Sequence, residues 1–201
     1  KVYPKPAALR IIKYKILQKE FYKAHQVPSS DFVITESKED LQNHHSFLPA
    51  VHKMANGGYD GRGVQVIKKP EDTRLGFDEP AVLEKMILIK KGVAVIVAIS
   101  DTGKTAIYQP VDMVFDQQLN QLIYQVCPAA LPEKVFWRVE AIAIKVVKEL
   151  KSPGLFAVEL FIDIDDNVFV NETACRVHNS GHHTIEACFS SQFDMLWRIM
   201  L

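Results

Sequence analysis

Apolar residues recur at helical spacing in three stretches of the chain. In Glu133–Leu150 they stand at Val135, Val139, Ile142, Val146 and Leu150, spaced 4, 3, 4 and 4, which predicts an amphipathic helix with one buried stripe. Ala7–His25 places Leu9, Ile12, Ile16 and Leu17 on one side and lysines on the other, predicting a second helix that ends before Pro28 and the Ser29-Ser30-Asp31 cluster. Thr184–Leu201 predicts a terminal helix, and Glu36–Asn43 a short polar one. Between them lie short apolar or alternating runs that read as strands: Phe32–Thr35, Ala50–Met54, Val64–Ile67, Val82–Ile89, Gly92–Ile99, Thr105–Gln109, Leu155–Ile162 and Val168–Asn171. Asp101-Thr102-Gly103-Lys104 and Asp163–Asn167 are turn signals that fold neighbouring strands into hairpins. Strands, helices and hairpins in this mixture predict an α+β fold rather than a regular parallel βαβ array.

Composition changes this picture little. Of 201 residues, 48% are apolar and 24% charged, enough for a buried core in one domain or two packed lobes. With 24 Lys and Arg against 24 Asp and Glu the chain is neutral, which argues against a nucleic-acid binder. The longest apolar run, Val93–Ile99, is too short to span a bilayer, so no membrane role is expected. Three cysteines without Cys-x-x-Cys spacing suit a reducing cytoplasm and give no disulfide framework or zinc site. The neutrality hides a split: residues 1–100 hold 16 basic and 11 acidic side chains, residues 101–201 hold 8 and 13. A basic half suits a polyanion and an acidic half a cation; the other reading is chance asymmetry of solvated faces.

Three segments carry candidate chemistry. Four of the nine glycines fall within Gly57–Gly63, between two strand candidates. Glycine lets backbone N–H groups approach an anion closely, and Arg62 and Lys53 add charge suited to phosphate. A plain glycine-rich hairpin turn is the alternative. Glu159 interrupts an apolar strand and Glu172 ends the next. A two-residue turn at Asp165-Asp166 sets these two carboxylates directly opposite each other, where like charges repel; a longer turn within Asp163–Asn167 shifts the register. Such a pair persists if one acid is protonated or a cation lies between them, and all-oxygen ligands suit Mg²⁺. An exposed acidic strand face is the alternative. The third segment, Arg176-Val177-His178-Asn179-Ser180-Gly181-His182-His183, is a donor-rich loop before a helix, suited to an anion or to capping by Ser180 or Thr184. Glu84 reads equally as a salt-bridged strand residue or a hydrogen-bonding linker.

Taken together, the glycine loop Gly57-Gly58-Tyr59-Asp60-Gly61-Arg62-Gly63, Glu84-Lys85-Met86, Asn171-Glu172 and Arg176-x-His178-Asn179-Ser180-Gly181-His182-x-Thr184-Ile185-Glu186-Ala187 resemble the 5-(carboxyamino)imidazole ribonucleotide synthases, ATP-grasp enzymes of purine synthesis. The resemblance runs from Pro4-x-Pro6 and Gln18-Lys19-Glu20 to Ser191-Gln192-Phe193. It implies an ATP-grasp fold with the nucleotide between a small lobe (residues 1–83, with a linking helix) and a large lobe (residues 84–201). It implies that ATP, with Mg²⁺ or Mn²⁺, phosphorylates bicarbonate to carboxyphosphate, which carboxylates the amine of 5-aminoimidazole ribonucleotide. By resemblance, Gly58, Tyr59, Asp60, Gly61, Arg62, Gly63 and Val64 cover the phosphates, which Lys53 reaches. Lys15 lies near the nucleotide, and Glu84, Lys85, Met86 and Ile87 form the hinge that hydrogen-bonds adenine. Glu159 and Glu172 correspond to the metal ligands, with Asn171 beside them, and Arg176, His178 and Asn179 to the catalytic loop, continued by Ser180. The full-length family is expected to be a homodimer, and the chain, starting at Lys1 in a proline-rich stretch, is expected to be the central part of a longer enzyme.

Five positions depart from the family pattern. Gly92 replaces an acid that binds ribose, Phe115 a histidine, Cys175 and Val177 two prolines, and His183 a tyrosine. Two rival readings accompany the resemblance: another ATP-grasp carboxylate–amine ligase or transformylase, and a nucleotide-binding module with impaired catalysis.

Overall fold

The two longest strands, rich in apolar residues, set the centre of the molecule. The computed structural model describes residues 2–57, 63–115 and 122–201. β1 (Phe32–Thr35), β2 (Ala50–Met54), β3 (Val64–Ile67) and β4 (Ala81–Lys85) form a four-stranded sheet in the order β1-β4-β2-β3. β5 (Ile89–Ile99), β6 (Thr105–Ile107), β7 (Val111–Phe115), β8 (Leu122–Val126), β9 (Gly154–Asp163) and β10 (Val168–Ala174) form a six-stranded sheet, ordered β10-β9-β5-β7-β8 with β6 paired to β5. All these pairings are antiparallel. The helices are α1 (Pro6–Lys13), α2 (Lys15–Ala24), α3 (Lys38–Leu41), α4 (Glu133–Glu149), α5 (Thr184–Ala187) and α6 (Gln192–Met200). None of the described helices is long and apolar enough to cross a membrane.

Strand alternation divides the larger sheet into two faces. Val93, Val95 and Val97 of β5 face the same way as Phe156, Val158 and Leu160 of β9, and together they pack on the buried stripe of α4: Val135, Val139, Ile142, Ala143, Val146 and Val147. Each such side chain contributes on the order of 1.5–3 kcal/mol by leaving water, so this face anchors the central strands. The opposite face carries Ile96, Ala98, Leu155 and Ala157 against Met195, Leu196 and Ile199 of α6. Glu159 lies on that second face, two residues along from Ala157, where the helix no longer covers the sheet.

Three departures from the predicted extents matter most, and β10 also runs on past Asn171 to Ala174. The helix expected over Ala7–His25 breaks at Tyr14, whose φ of −116° and ψ of 111° are extended. The amide of Lys15 leaves the helix ladder and donates to Ala55 O at 3.0 Å. That break re-aims the apolar side: Ala8, Ile11 and Ile12 join the α4 core, whereas Ile16 packs with Ala55 and Val82 of the smaller sheet. The strand expected over Val82–Ile89 stops at Lys85, and Ile89 starts the next sheet. The terminal helix is interrupted between Ala187 and Gln192, because Ser191 and Asp194 form a capping box that starts α6 afresh. β7 and β8, edge-side strands of the larger sheet, were not predicted.

Candidate functional site

A local irregularity in β10 creates the site. The β9–β10 hairpin is closed by a three-residue turn, with Asp163 N donating to Asn167 O at 3.0 Å and Asp166 at a φ of 60°. That turn pairs Val168 with Ile162 and Val170 with Leu160, one residue off the register of a two-residue turn. A bulge between Val170 and Glu172 then restores the shift, so Glu172 faces Glu159 and Ala174 faces Ala157. Asn171 is the extra residue, and the bulge brings it to the cleft beside Glu172. The predicted opposition of the two carboxylates is therefore present, set by the bulge rather than by the turn.

The two sheets flank a cleft of about 1620 Å³. Lys15, Lys53, Val64, Glu84, Lys85, Met86, Ile87, Glu159, Asn171, Glu172, Arg176, His178 and Asn179 all line it. Gly63 adjoins this wall with a φ of 73°, a conformation suited to glycine, and its carbonyl accepts from Met54 N at 2.9 Å. Gly58, Tyr59, Asp60, Gly61 and Arg62 lie outside the described residues.

Charged and polar side chains pair across the cleft. Lys15 Nζ meets Glu172 Oε2 at 2.9 Å. Lys53, projecting from β2 onto the same face as Glu84 of β4, reaches Glu84 Oε1 at 3.1 Å and Asn171 Oδ1 at 2.9 Å. Asn171 Nδ2 donates to Glu159 Oε2 at 3.2 Å, and His178 Nε2 stands 3.6 Å from Glu159 Oε1. On the other side of Glu84, Ser30 Oγ donates to Oε2 at 2.6 Å and Lys19 Nζ lies 3.5 Å from the same oxygen. Of the two sequence alternatives for Glu84, the salt-bridged strand residue is the one observed. The amides of Lys85 and Met86 donate to Asp31 O and Pro49 O, and Lys85 Nζ to the carbonyls of Phe47 and Leu48, so these donors are already engaged by the fold.

The two opposed acids differ in ionisation. Burial pushes Glu159 up to about 7, and the neighbouring charge of Glu172 adds to the rise. Burial also opposes ionisation of Glu172, but the Lys15 ammonium overcomes it and holds this carboxyl below its usual range. Glu84 is likewise held down against burial, by Lys53 and Lys19, while burial draws Lys19 below the usual lysine range. A carboxyl whose folded pKa is raised stabilises its protonated form, so folding loses stability as pH rises from the unfolded value near 4.5 through 7. Glu159→Gln, a permanent mimic of the protonated acid, is expected to raise stability at pH 8 by on the order of 2 kcal/mol, or several degrees in Tm. The gain is absent at pH 4; thermal melts of the metal-free protein at the two pH values check this.

The Arg176–His182 loop is fixed by a residue that sequence reasoning did not single out. Gln192, fully buried at the start of α6, accepts from His178 N at 2.9 Å and donates to His178 O at 2.8 Å. Its side chain fills the space at Gly181, where an added Cβ would come within 2.5 Å of Gln192 Oε1. His178 Nδ1 pairs with Ser180 Oγ at 2.9 Å, Asn179 Oδ1 accepts from Ser180 N at 2.8 Å, and Gln125 Nε2 holds Asn179 O at 2.9 Å. Arg176 remains exposed, its Nη1 donating to Val177 O at 2.9 Å. Gly92 and Phe115, two of the departures noted above, are neighbours: a Cβ on Gly92 would touch Phe115 Cε2 at 3.4 Å. The loss of a side chain at one position is matched by an aromatic ring lying over it from the other.

Among the described residues, no group of three or more His, Cys, Asp and Glu side chains is placed to hold a metal alone. The two opposed carboxylates suit a hard cation that takes its other ligands from phosphate and water.

The ATP-grasp domain profile matches residues 20–193, most of the chain. The chain belongs to the ATP-grasp family. Within this ATP-grasp family, it is 34% identical to the phosphoribosylaminoimidazole carboxylase of Candida glabrata over the whole chain and 36% of that protein. It is 34% identical to the N5-carboxyaminoimidazole ribonucleotide synthase of Aquifex aeolicus over 98% of the chain and 54% of that protein. The crystal structure of the N5-carboxyaminoimidazole ribonucleotide synthetase from Thermotoga maritima superposes with a TM-score of 0.87 at 34% identity, covering the whole chain and 52% of that structure. The synthase of Aspergillus clavatus, solved with ADP and 5-aminoimidazole ribonucleotide, superposes with a TM-score of 0.90 at 27% identity, covering the whole chain and 54% of that structure. The chain thus spans about a third to a half of the length of these relatives.

Proposed function

We propose that the cleft binds ATP between a small lobe, residues 1–83, and a large lobe, residues 84–201, and spends it on carboxylating the amine of 5-aminoimidazole ribonucleotide with bicarbonate. The observation that carries this reading is the opposed Glu159–Glu172 pair, beside Lys53 and next to the Arg176–His182 loop. An uncompensated acid pair destabilises the fold; a divalent cation removes that penalty and makes the pair useful.

Phosphoryl transfer demands positioning and charge neutralisation more than covalent help from the protein. Lys53 and the glycine loop hold the phosphates, Lys15 sits at the same end, and the Glu84–Ile87 segment borders the base. Glu159 and Glu172, with Asn171, would hold Mg²⁺ or Mn²⁺, which supplies charge neutralisation at the phosphate oxygens when bound. Bicarbonate oxygen attacks the γ-phosphorus, ADP departs, and the product is carboxyphosphate. The exocyclic amine then takes the carboxyl group, the C–O bond to phosphate breaks, and inorganic phosphate leaves. Arg176, exposed at the cleft wall, offers a planar cation to bicarbonate or carboxyphosphate. His178, held between Glu159 and Ser180, is placed to accept a proton as the amine is carboxylated, and Asn179 orients the turn that carries it. Because the acids and the anion loop meet at one strand end, the fold brings the two anionic reactants together while the lobes exclude water from the labile intermediate.

Gly92 and Phe115 give the other end of the cleft a bare backbone and an aromatic face, so ribose is recognised there by contacts other than an acid at position 92. The three free cysteines suit a reducing compartment such as the cytoplasm. The full-length protein is tested by ADP release: turnover that requires both bicarbonate and 5-aminoimidazole ribonucleotide supports the assignment, and ATP hydrolysis indifferent to the nucleotide acceptor removes it.

A further inference from the structure

Glu84 is bound by two lysines whose situations differ. Lys19 is almost wholly buried, with 2% of its side chain exposed. It is locked by hydrogen bonds to Ser30 O at 2.9 Å and Ser30 Oγ at 3.0 Å, and its ammonium lies 5.4 Å from the centre of the Phe32 ring. Lys53 borders the cleft, and among the described residues it meets the side-chain oxygen of Asn171 as well as Glu84. One of these cations is enclosed by the fold, and the other stands at the cleft wall.

We propose that Lys19 is a positioning residue that serves as the resident counterion of Glu84, leaving Lys53 available to the nucleotide phosphates. Counting charges shows why both are needed. Glu84 is buried and needs a cationic partner to stay ionised. With Lys19 present, the trio carries a surplus of one positive charge, and Lys53 can exchange Glu84 for phosphate without stranding a buried anion. Without Lys19 the surplus vanishes: Lys53 is then the one cation paired with Glu84 among the described residues, and withdrawing it leaves a buried charge without a counterion. Ser30 supports the arrangement by donating to the same oxygen that Lys19 faces. The helix break at Tyr14 contributes as well, since it orients α2 so that Lys15 faces the large sheet at Glu172 while Lys19 faces the small sheet at Glu84.

This inference rests on the reading of the cleft as an ATP site, and the test separates the two. ATP affinity is measured by calorimetry with Mg²⁺ on the full-length protein and on Lys19→Met, Lys53→Met and the double variant. Lys19→Met is expected to weaken ATP about tenfold. In the Lys53→Met background it should add less than twofold, because the residue through which it acts is gone. A merely structural role for Lys19 predicts an additional loss of similar size in both backgrounds, and that result, or wild-type affinity in Lys19→Met, overturns the proposal. If Lys19→Met does not fold, Ser30→Ala takes its place: a threefold or greater loss that disappears in the Lys53→Met background is expected, and an unchanged or additive response overturns the proposal. Absence of ATP binding by the unaltered protein would instead remove the underlying reading of the cleft.

Discussion

Glu172→Gln is expected to lower ATP-dependent turnover of the full-length protein at least a thousandfold, about 4 kcal/mol of transition-state stabilisation. Glu172 is the more accessible member of the acid pair, with 44% of its side chain exposed at the cleft. It is also the member held ionised, by Lys15 at 2.9 Å. The amide substitution keeps shape and removes charge, so the fold should survive. Two effects act in the same direction on the cation. One ligand becomes a weak neutral donor, and the Lys15 ammonium loses its partner and repels the metal. Excess Mg²⁺ should therefore restore little. Steady-state ADP release at saturating ATP, bicarbonate and 5-aminoimidazole ribonucleotide measures the effect, and turnover within tenfold of the unaltered protein would contradict the metal role of this carboxylate.

Lys53→Met should weaken ATP binding by roughly ten- to a hundredfold, the range of a charge-assisted hydrogen bond of about 1.5–3 kcal/mol. Its aliphatic stem is preserved, so packing against β3 and β4 changes little. Glu84 keeps Lys19 and Ser30 as partners, which limits the damage to the fold. Adenosine, lacking phosphates, should bind the variant and the unaltered protein alike. Calorimetry with ATP and adenosine checks both halves, and an unchanged Kd for ATP would count against phosphate contact by Lys53.

Much of the fold was legible because its strongest elements have strong periods. The stripe of α4 and the apolar runs of β5 and β9 made the central layer legible directly, and of the residues assigned to the cleft by resemblance, the described ones other than Gly63 line it. What stayed hidden depended on single backbone events. No hydrophobic pattern marks the break at Tyr14, because the driving contact is Lys15 N with Ala55 O, forty residues away. The register of Glu159 and Glu172 came out as expected through two offsetting shifts, a longer turn and a bulge at Asn171, neither visible in residue type. β7 and β8 escaped because Val111-Asp112-Met113-Val114-Phe115 and Leu122-Ile123-Tyr124-Gln125-Val126 do not alternate strictly between apolar and polar residues, although β7 is an inner strand and β8 the edge. Lys19 and Gln192 stood within the resemblance but drew no role, for a related reason. Each reads as an ordinary polar helix residue, and only its complete burial against Glu84 or against the His178 backbone shows what it does. A buried polar residue requires partners, but burial is a tertiary property.

The account turns on bicarbonate being activated by ATP in this cleft. Bicarbonate labelled uniformly with ¹⁸O, given to the full-length protein with Mg²⁺, ATP and 5-aminoimidazole ribonucleotide, tests that claim most directly. Carboxyphosphate forms by attack of a bicarbonate oxygen on phosphorus and breaks at its C–O bond, so each phosphate released should carry one labelled oxygen. Phosphate released without label, at the same rate whether or not the imidazole nucleotide is present, would contradict the account.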